Sequence, residues 1–349
     1  MKTKFSKPIL FVFAILLVLI TRPAVADGPK DQDTWQVQWS NDVLFSSDNQ
    51  FTNGITFRRH SRVFSSLEDT GGTLAFGKLL ARIFLPLTAE NYRESWAVGQ
   101  NFQTPNDIER SDLILDAVPY VGVLGLANTF SAFDNQTYTS FQWMIGVAGP
   151  AALAEEVQTL VHNKLVSAPE PRGWDNQLDN EPLLNFYYAR KYKALNTQYF
   201  DLALTADGAL GNFFSHIQGA VELRLGRIPY GFLDIPTPLG RSIEHQGALR
   251  DRNKSYFYGS FAVRGTRMFL ALPRDGNTFR RGNEWTEKNV VEKEDLASQV
   301  VLGLHFERTS WGAHFNVWFS SDTVRSQSSN RIADPRNNFT TLTFERRFD

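Results

Sequence analysis

Residues 34–45 read TWQVQWSNDVLF and alternate with a period of two. Trp35, Val37, Trp39, Val43 and Phe45 share one parity, and Gln36, Gln38, Ser40 and Asp42 share the other. Such alternation predicts a strand with one apolar and one polar face. Segments of the same kind follow at 52–63, 94–103, 118–131, 137–147 and 182–192. Others lie at 198–208, 214–226, 255–270, 297–307, 310–320 and 338–348, giving about twelve strands.

A soluble β-sandwich alternates in the same way, so other features decide the class. Residues 1–26 carry a positive start (Lys2, Lys4, Lys7), an apolar run from Ile9 to Ile20 and a small-x-small end at Ala24-Val25-Ala26. That is the pattern of a cleaved secretory leader, too short to span a bilayer as a helix. The strands are about ten residues or longer, the length a tilted membrane strand needs. Their polar faces hold Gln, Asn, Ser, Gly and charge, as a wet lumen allows. The chain ends TLTFERRFD, an alternating strand with Phe348 penultimate. Strands can cross hydrocarbon only if the sheet closes and leaves no unpaired edge. The expectation is an all-β transmembrane antiparallel barrel spanning 27–349, with a short helix in an extracellular loop.

With both termini on the periplasmic side, odd strands run outward and even strands return. Asp134–Gln136 and Arg308–Ser310 then become short periplasmic turns. The connections 64–93 and 227–253 also fall on that side and are longer than the rule allows.

Composition changes the picture at three points. The leader holds four of the 36 basic residues and none of the 37 acidic ones, so the remainder has 32 basic residues and a formal net charge of −5. No basic run points to nucleic acid. The absence of cysteine excludes disulfides, thiolate metal sites and a Cys nucleophile. The 28 Phe, 8 Trp and 10 Tyr, many in dyad alternation, suit a lipid-facing wall.

One segment breaks the alternation. GPAALAEEVQTLVHNKL at 149–165 reads as an amphipathic helix in the loop after the fifth strand. Glu155, Gln158 and His162 fall on one face, and Leu153, Val157, Leu160 and Val161 on the other. A helix packed on its apolar face, with its polar face in water, is the simplest expectation. A histidine with a carboxamide one turn away is also a general-base arrangement. Two further clusters lie at the same rim: Asn41-Asp42 and Thr52-Asn53-Gly54. Strand parity turns Asp42 inward. A carboxylate among carbonyls and a Thr hydroxyl is a hard oxygen environment, suited to Ca²⁺ rather than zinc. From this cluster alone, a solvated Asp in a wet lumen is the better reading. The chain has no GxSxG elbow, no HExxH and no Gly-rich phosphate loop, and DGN at 275–277 reads as a turn.

Several motifs occur in a fixed order: ND at 41–42, TNG at 52–54, TPND at 104–107, PYVG at 119–122, GPAALAEEVQTLVH at 149–162, GWDNQLDNEP at 173–182, LGN at 210–212 and DGNTF at 275–279. Together they resemble the outer-membrane lipid A 3'-O-deacylases over nearly all of the chain after the leader. The resemblance implies a twelve-stranded barrel with its site between the wall and a loop helix, facing the outside. It implies Ca²⁺-dependent hydrolysis of the 3' acyloxyacyl group of lipid A within lipopolysaccharide, by a monomer in the outer membrane. His162 would be the base that activates water, assisted by Gln158. Asn41, Asp42 and Thr52 would build the metal and oxyanion region, with Asp42 the metal ligand. A lipase acting on other acyl esters, or a pore or binding barrel without catalysis, are the alternatives. One departure is Val118 before Pro119-Tyr120-Val121-Gly122, where the family usually has Arg. The family's basic pair and further acidic residue have no unique counterpart; Arg58, Arg59, Glu170 and Glu181 are the candidates.

Overall fold

The computed structural model describes residues 33–45, 50–70, 75–162, 169–233, 235, 237–241, 255–326 and 336–348. The leader at 1–26 lies outside the described residues, as do positions 163–165 of the loop helix. Twelve antiparallel strands close into one barrel. They are β1 (Asp33–Asn41), β2 (Gln50–His60), β3 (Asn91–Thr104), β4 (Val121–Phe133), β5 (Thr137–Ala148) and β6 (Glu181–Asn196), then β7 (Phe200–Gly211), β8 (Phe214–Arg227) and β9 (Tyr256–Ala271). A three-residue β10 (Val291–Lys293) precedes β11 (Leu296–Glu307) and β12 (Trp311–Ser320). It pairs with β13 (Val324–Ser326) outside the barrel, and β14 (Phe339–Phe348) ends the sheet. β14 pairs with β1 from Asp33↔Phe348 to Asn41↔Thr340, which leaves no sheet edge unpaired. No helix among the described residues is long and apolar enough to cross a membrane.

All twelve predicted barrel strands are present, with shifted ends. β1 stops at Asn41 because Val43–Phe45 turn into a 3-10 helix. β4 begins at Val121 rather than 118, because Val118-Pro119-Tyr120 belongs to the preceding loop. The face assignment of β1 holds: Thr34, Gln36, Gln38 and Ser40 are buried in the lumen, while Trp35 and Trp39 are about half exposed outside. Around the barrel the outward parity carries Ile55, Phe57, Leu124, Ile145, Leu184, Val221, Phe261 and Leu302, an apolar belt. Many inward positions are polar, and several are paired. Lys191 Nζ bonds Glu222 Oε2 at 2.6 Å, and Arg224 reaches Asp201. His305 Nδ1 lies 3.0 Å from His314 Nδ1. Charges buried in this way persist because each has partners.

The two long connections have distinct structural jobs. In 61–90, the helix α1 (Ala75–Phe84) packs against the outward face of the wall near the chain termini. Gly77 lets it approach closely: a Cβ there would lie 2.8 Å from Trp143 Nε1 and 3.0 Å from Asn128 Oδ1. The start of the other connection, through Arg241, folds back into the lumen. Its carbonyls are caught in ascending order, Leu233 O by Lys191 at 2.9 Å, Thr237 O by Arg58 at 2.9 Å and Leu239 O by Asn101 at 2.7 Å. Its length therefore buys a plug rather than a loop in solvent.

Candidate active site

The loop helix α2 (Ala154–Val161) lies outside the barrel wall, at the end opposite the termini. Gly149, at φ 91°, turns the chain out of β5 and donates its N–H to Gly122 O at 2.9 Å. The single turn Pro150–Ala152 follows, and Gln100 Nε2 donates to Ala152 O at 2.6 Å. Leu153, at φ 56°, then starts α2. Gln100 and Gly122 both point away from the lumen, so β3 and β4 form the floor under the helix. Small residues set the spacing: a Cβ on Gly122 would be 2.5 Å from Ala154 Cβ.

This corrects the expected facing of the helix. Gln158 and His162 are buried, at 1 % and 8 % exposure, whereas Leu153 and Leu160 stand 53 % and 52 % exposed. Glu155 does not join them and is exposed; burial, with Glu156 and Asp175 nearby, pushes its carboxyl up. Leu153 and Leu160 face outward, while Val157 packs inward on the Phe102, Tyr120 and Trp174 cluster, because the helix rests on the outer wall of a membrane barrel. The medium beyond such a wall is apolar, and the polar side finds its partners against the protein.

The partners define two groups with distinct chemistry. His162 Nδ1 lies 2.6 Å from Pro169 O. A carbonyl oxygen only accepts, so Nδ1 carries the proton, and in the neutral form of the ring the lone pair falls on Nε2. Trp174 Nε1 donates to Gln158 Oε1 at 2.8 Å. That bond fixes the amide and leaves Gln158 Nε2 as a buried donor with no hydrogen-bond partner among the described residues. Trp174 is itself clamped between Tyr120 and Phe102, with ring centroids 5.0 and 6.2 Å away.

The strand cluster sits across the ends of β1, β2 and β3. Asn41 Nδ2 donates to Thr52 O at 2.8 Å, and the Asp42 N–H reaches the same carbonyl at 3.4 Å. Thr52 Oγ1 and Thr104 Oγ1 are 2.9 Å apart, and the Asp42 side chain is buried at 2 % exposure. Asn41 and Asn53 pair in register, and Asn53 pairs with Phe102, the residue that packs on Trp174. The structure thus joins Asn41, Asp42 and Thr52 to Gln158 through β3 and Trp174. No direct hydrogen bond between the two clusters occurs among the described residues. The cluster offers oxygens of several kinds: the Asp42 carboxylate, the Thr52 carbonyl and hydroxyl, and the Asn41 amide oxygen. Such a set fits a hard cation. Among the described residues no three acidic or histidine side chains gather around one point, so neutral oxygens and water would complete any such shell.

The four candidates for the family's charged positions separate cleanly. Arg58 is buried in the lumen on Gln38 and the plug, and Arg59 pairs with Asp33 near the termini. Neither reaches the helix. Glu170 adjoins Pro169 and is exposed. Glu181 is fully buried and accepts from Asn277 Nδ2, Thr278 N and Phe279 N at 3.2, 2.9 and 3.1 Å, and from Asn212 Nδ2 at 3.0 Å. It clasps the LGN and DGNTF motifs onto the end of GWDNQLDNEP. Sequence reading missed this clasp and the role of Trp174, although the recurrence of Asn in each of these motifs was a signal of it.

A closed barrel of twelve antiparallel strands with an apolar outer belt and a polar lumen defines an outer-membrane barrel protein. The chain matches the family model of outer membrane protein LpxR over residues 10–348 and belongs to that family, the lipid A deacylases its motifs resemble. Among solved structures it is similar to LpxR from Salmonella typhimurium, with TM-score 0.64, 13 % identity, 90 % of this chain and 100 % of that one covered. The β domain of the Bordetella autotransporter BrkA overlaps more loosely, with TM-score 0.41, 7 % identity and coverage of 92 % and 99 %. A comparison with curated proteins finds no match.

Proposed function

We propose that this chain is a Ca²⁺-dependent hydrolase that removes the 3'-linked acyloxyacyl group of lipid A, working from the outer leaflet of the bacterial outer membrane. The observation that carries the reading is the pair His162 and Gln158. One has its Nδ1 bound to Pro169 O, which leaves Nε2 to act as the base, and the other holds an unspent amide donor, on the outside of the wall. A substrate anchored in the leaflet would reach this site by lateral diffusion, without entering the lumen.

In this scheme His162 Nε2 accepts a proton from water as its oxygen adds to the ester carbonyl. Pro169 O holds the ring through Nδ1 and favours the imidazolium formed. Gln158 Nε2 donates to the developing oxyanion, or to the attacking water, from a site that excludes bulk solvent. Collapse of the tetrahedral intermediate returns the proton from His162 to the departing sugar oxygen. Asp42, with the oxygens of Asn41 and Thr52, would hold Ca²⁺. When bound, that ion would supply Lewis-acid polarisation of the ester carbonyl. Refolded protein incubated with lipid A in Ca²⁺ or in EGTA tests the reading by mass spectrometry. A product lighter by the 3' acyloxyacyl group in Ca²⁺ alone is expected. Unchanged lipid A in both would contradict it, and loss of a different acyl chain would redirect it to another ester.

A further inference from the structure

The lumen holds a second polar site, far in character from the helix site. A cavity of about 120 Å³ lies among the inward faces of β8, β9, β11, β12 and β14, capped by the tip of the plug. Arg241, Arg264, Arg274 and His216 all line it. Arg264 is 2 % exposed, and its Nε has no hydrogen-bond partner among the described residues. The carboxylate nearest to it, Glu222 Oε1, is 4.0 Å away, and the other oxygen of Glu222 is taken by Lys191 at 2.6 Å. Arg241 has no ion pair among the described residues; the Asn337 amide, turned with its oxygen toward the guanidinium, accepts from both terminal nitrogens at 3.0 and 3.1 Å, and the guanidinium stacks over Phe51 and Phe339 at 4.4 and 5.3 Å. Arg264 stacks over Trp318 at 4.9 Å. Arg274 Nε is likewise buried without a hydrogen-bond partner among the described residues, although its terminal nitrogens donate to Glu294 O and Asp275 at 2.7 and 3.2 Å, and His216 Nε2 lies 3.3 Å from Asp207 Oδ1.

Every other buried cation in the lumen described above has a carboxylate or carbonyl close by. Here two buried guanidinium Nε–H donors, of Arg264 and Arg274, and two arginines without a close carboxylate, Arg241 and Arg264, border one space. A buried charge left in this state is strongly unfavourable unless something answers it. Arginine presents its donors in a planar fork that matches a carboxylate. Trp318, Phe339 and Met268 make much of the remaining wall apolar. From this we infer that the cavity is a binding site for a small organic acid, with its carboxylate toward Arg241 and Arg264 and its apolar body against Trp318 and Phe339. This site is separate from the helix and does not depend on the proposed hydrolysis.

Calorimetric titration of the folded full-length barrel in detergent with sodium benzoate, at constant ionic strength, tests the proposal. Benzyl alcohol serves as the neutral control. Saturable 1:1 binding of benzoate, none of the alcohol, and affinity at least about tenfold weaker in Arg264→Met or Arg241→Gln are expected. Benzoate should bind His162→Ala as it binds wild type. Absence of saturable heat with folded wild type would overturn the site, leaving water as the occupant. Equal binding by a folded arginine variant, or loss of binding in His162→Ala, would place the anion elsewhere and overturn it too.

Discussion

The indole N–H of Trp174 donates to Gln158 Oε1 at 2.8 Å, and this bond decides which end of the Gln158 amide faces the site. Trp174→Phe keeps the ring between Tyr120 and Phe102 but removes the donor. The amide then loses its anchor, at a cost of about 1–2 kcal/mol. Expressed wholly in the transition state, that is a fall of about 5–30-fold in turnover. Steady-state hydrolysis of lipid A checks it, with heat stability nearly unchanged. Full activity in Trp174→Phe would show that the amide needs no such support.

Gly122 and Ala154 set how closely α2 rests on the wall. A methyl at Gly122 would meet Ala154 Cβ at 2.5 Å and Ala152 Cβ at 3.2 Å, and neither neighbour is a flexible side chain that can swing away. Gly122→Ala should displace the helix, cost about 1–3 kcal/mol of stability and lower activity by more than its effect on folding explains. Unfolding temperature and lipid A turnover, measured on the same preparation, separate the two effects. A variant as active as wild type would mean the helix tolerates other positions.

Glu181 holds the 277–279 loop by three donors and Asn212 by a fourth. Glu181→Ala leaves these groups to find water or remain unpaired, which should cost about 3 kcal/mol or more. Loss of heat-modifiable migration at a lower temperature is the expected readout. An unshifted transition would show that the clasp is redundant.

The plug carbonyls of Leu233, Thr237 and Leu239 are bound to Lys191, Arg58 and Asn101, and Leu239 is buried. A lumen filled in this way should not conduct. Planar-bilayer recordings of wild type should be silent, and a steady channel would instead favour the pore reading of the sequence.

The barrel was legible because a membrane strand obeys a two-residue period that survives in sequence, as Trp35, Val37 and Trp39 against Gln36, Gln38 and Ser40 show. The helix was legible as a helix but not in its facing. Its periodicity was read as if water surrounded it, whereas Leu153 and Leu160 point away from the protein and Gln158 points in. The two long connections carried no periodic signal of their destinations. Whether a segment coats the wall, as α1 does, or fills the lumen depends on contacts with residues far away in the chain. Trp174 on Gln158 and Glu181 on Asn277 are of the same kind: each side chain was visible, and its partner was not. Asn41, Asp42, Thr52, Gln158 and His162 were singled out through motifs and strand parity, and the fold links the first three to Gln158 only through the pairing of Asn53 with Phe102 and the packing of Phe102 on Trp174.

The most direct test of the account is single-turnover hydrolysis of lipid A in Ca²⁺, followed by mass spectrometry, for wild type beside His162→Ala. The substitution removes both the Nε2 base and the bond to Pro169 O, at a residue outside every strand of the barrel. A slowing of about 10²–10⁴-fold is predicted in a variant that still migrates as a folded barrel. An undiminished rate from folded His162→Ala would contradict the assignment of the base, and with it the mechanism.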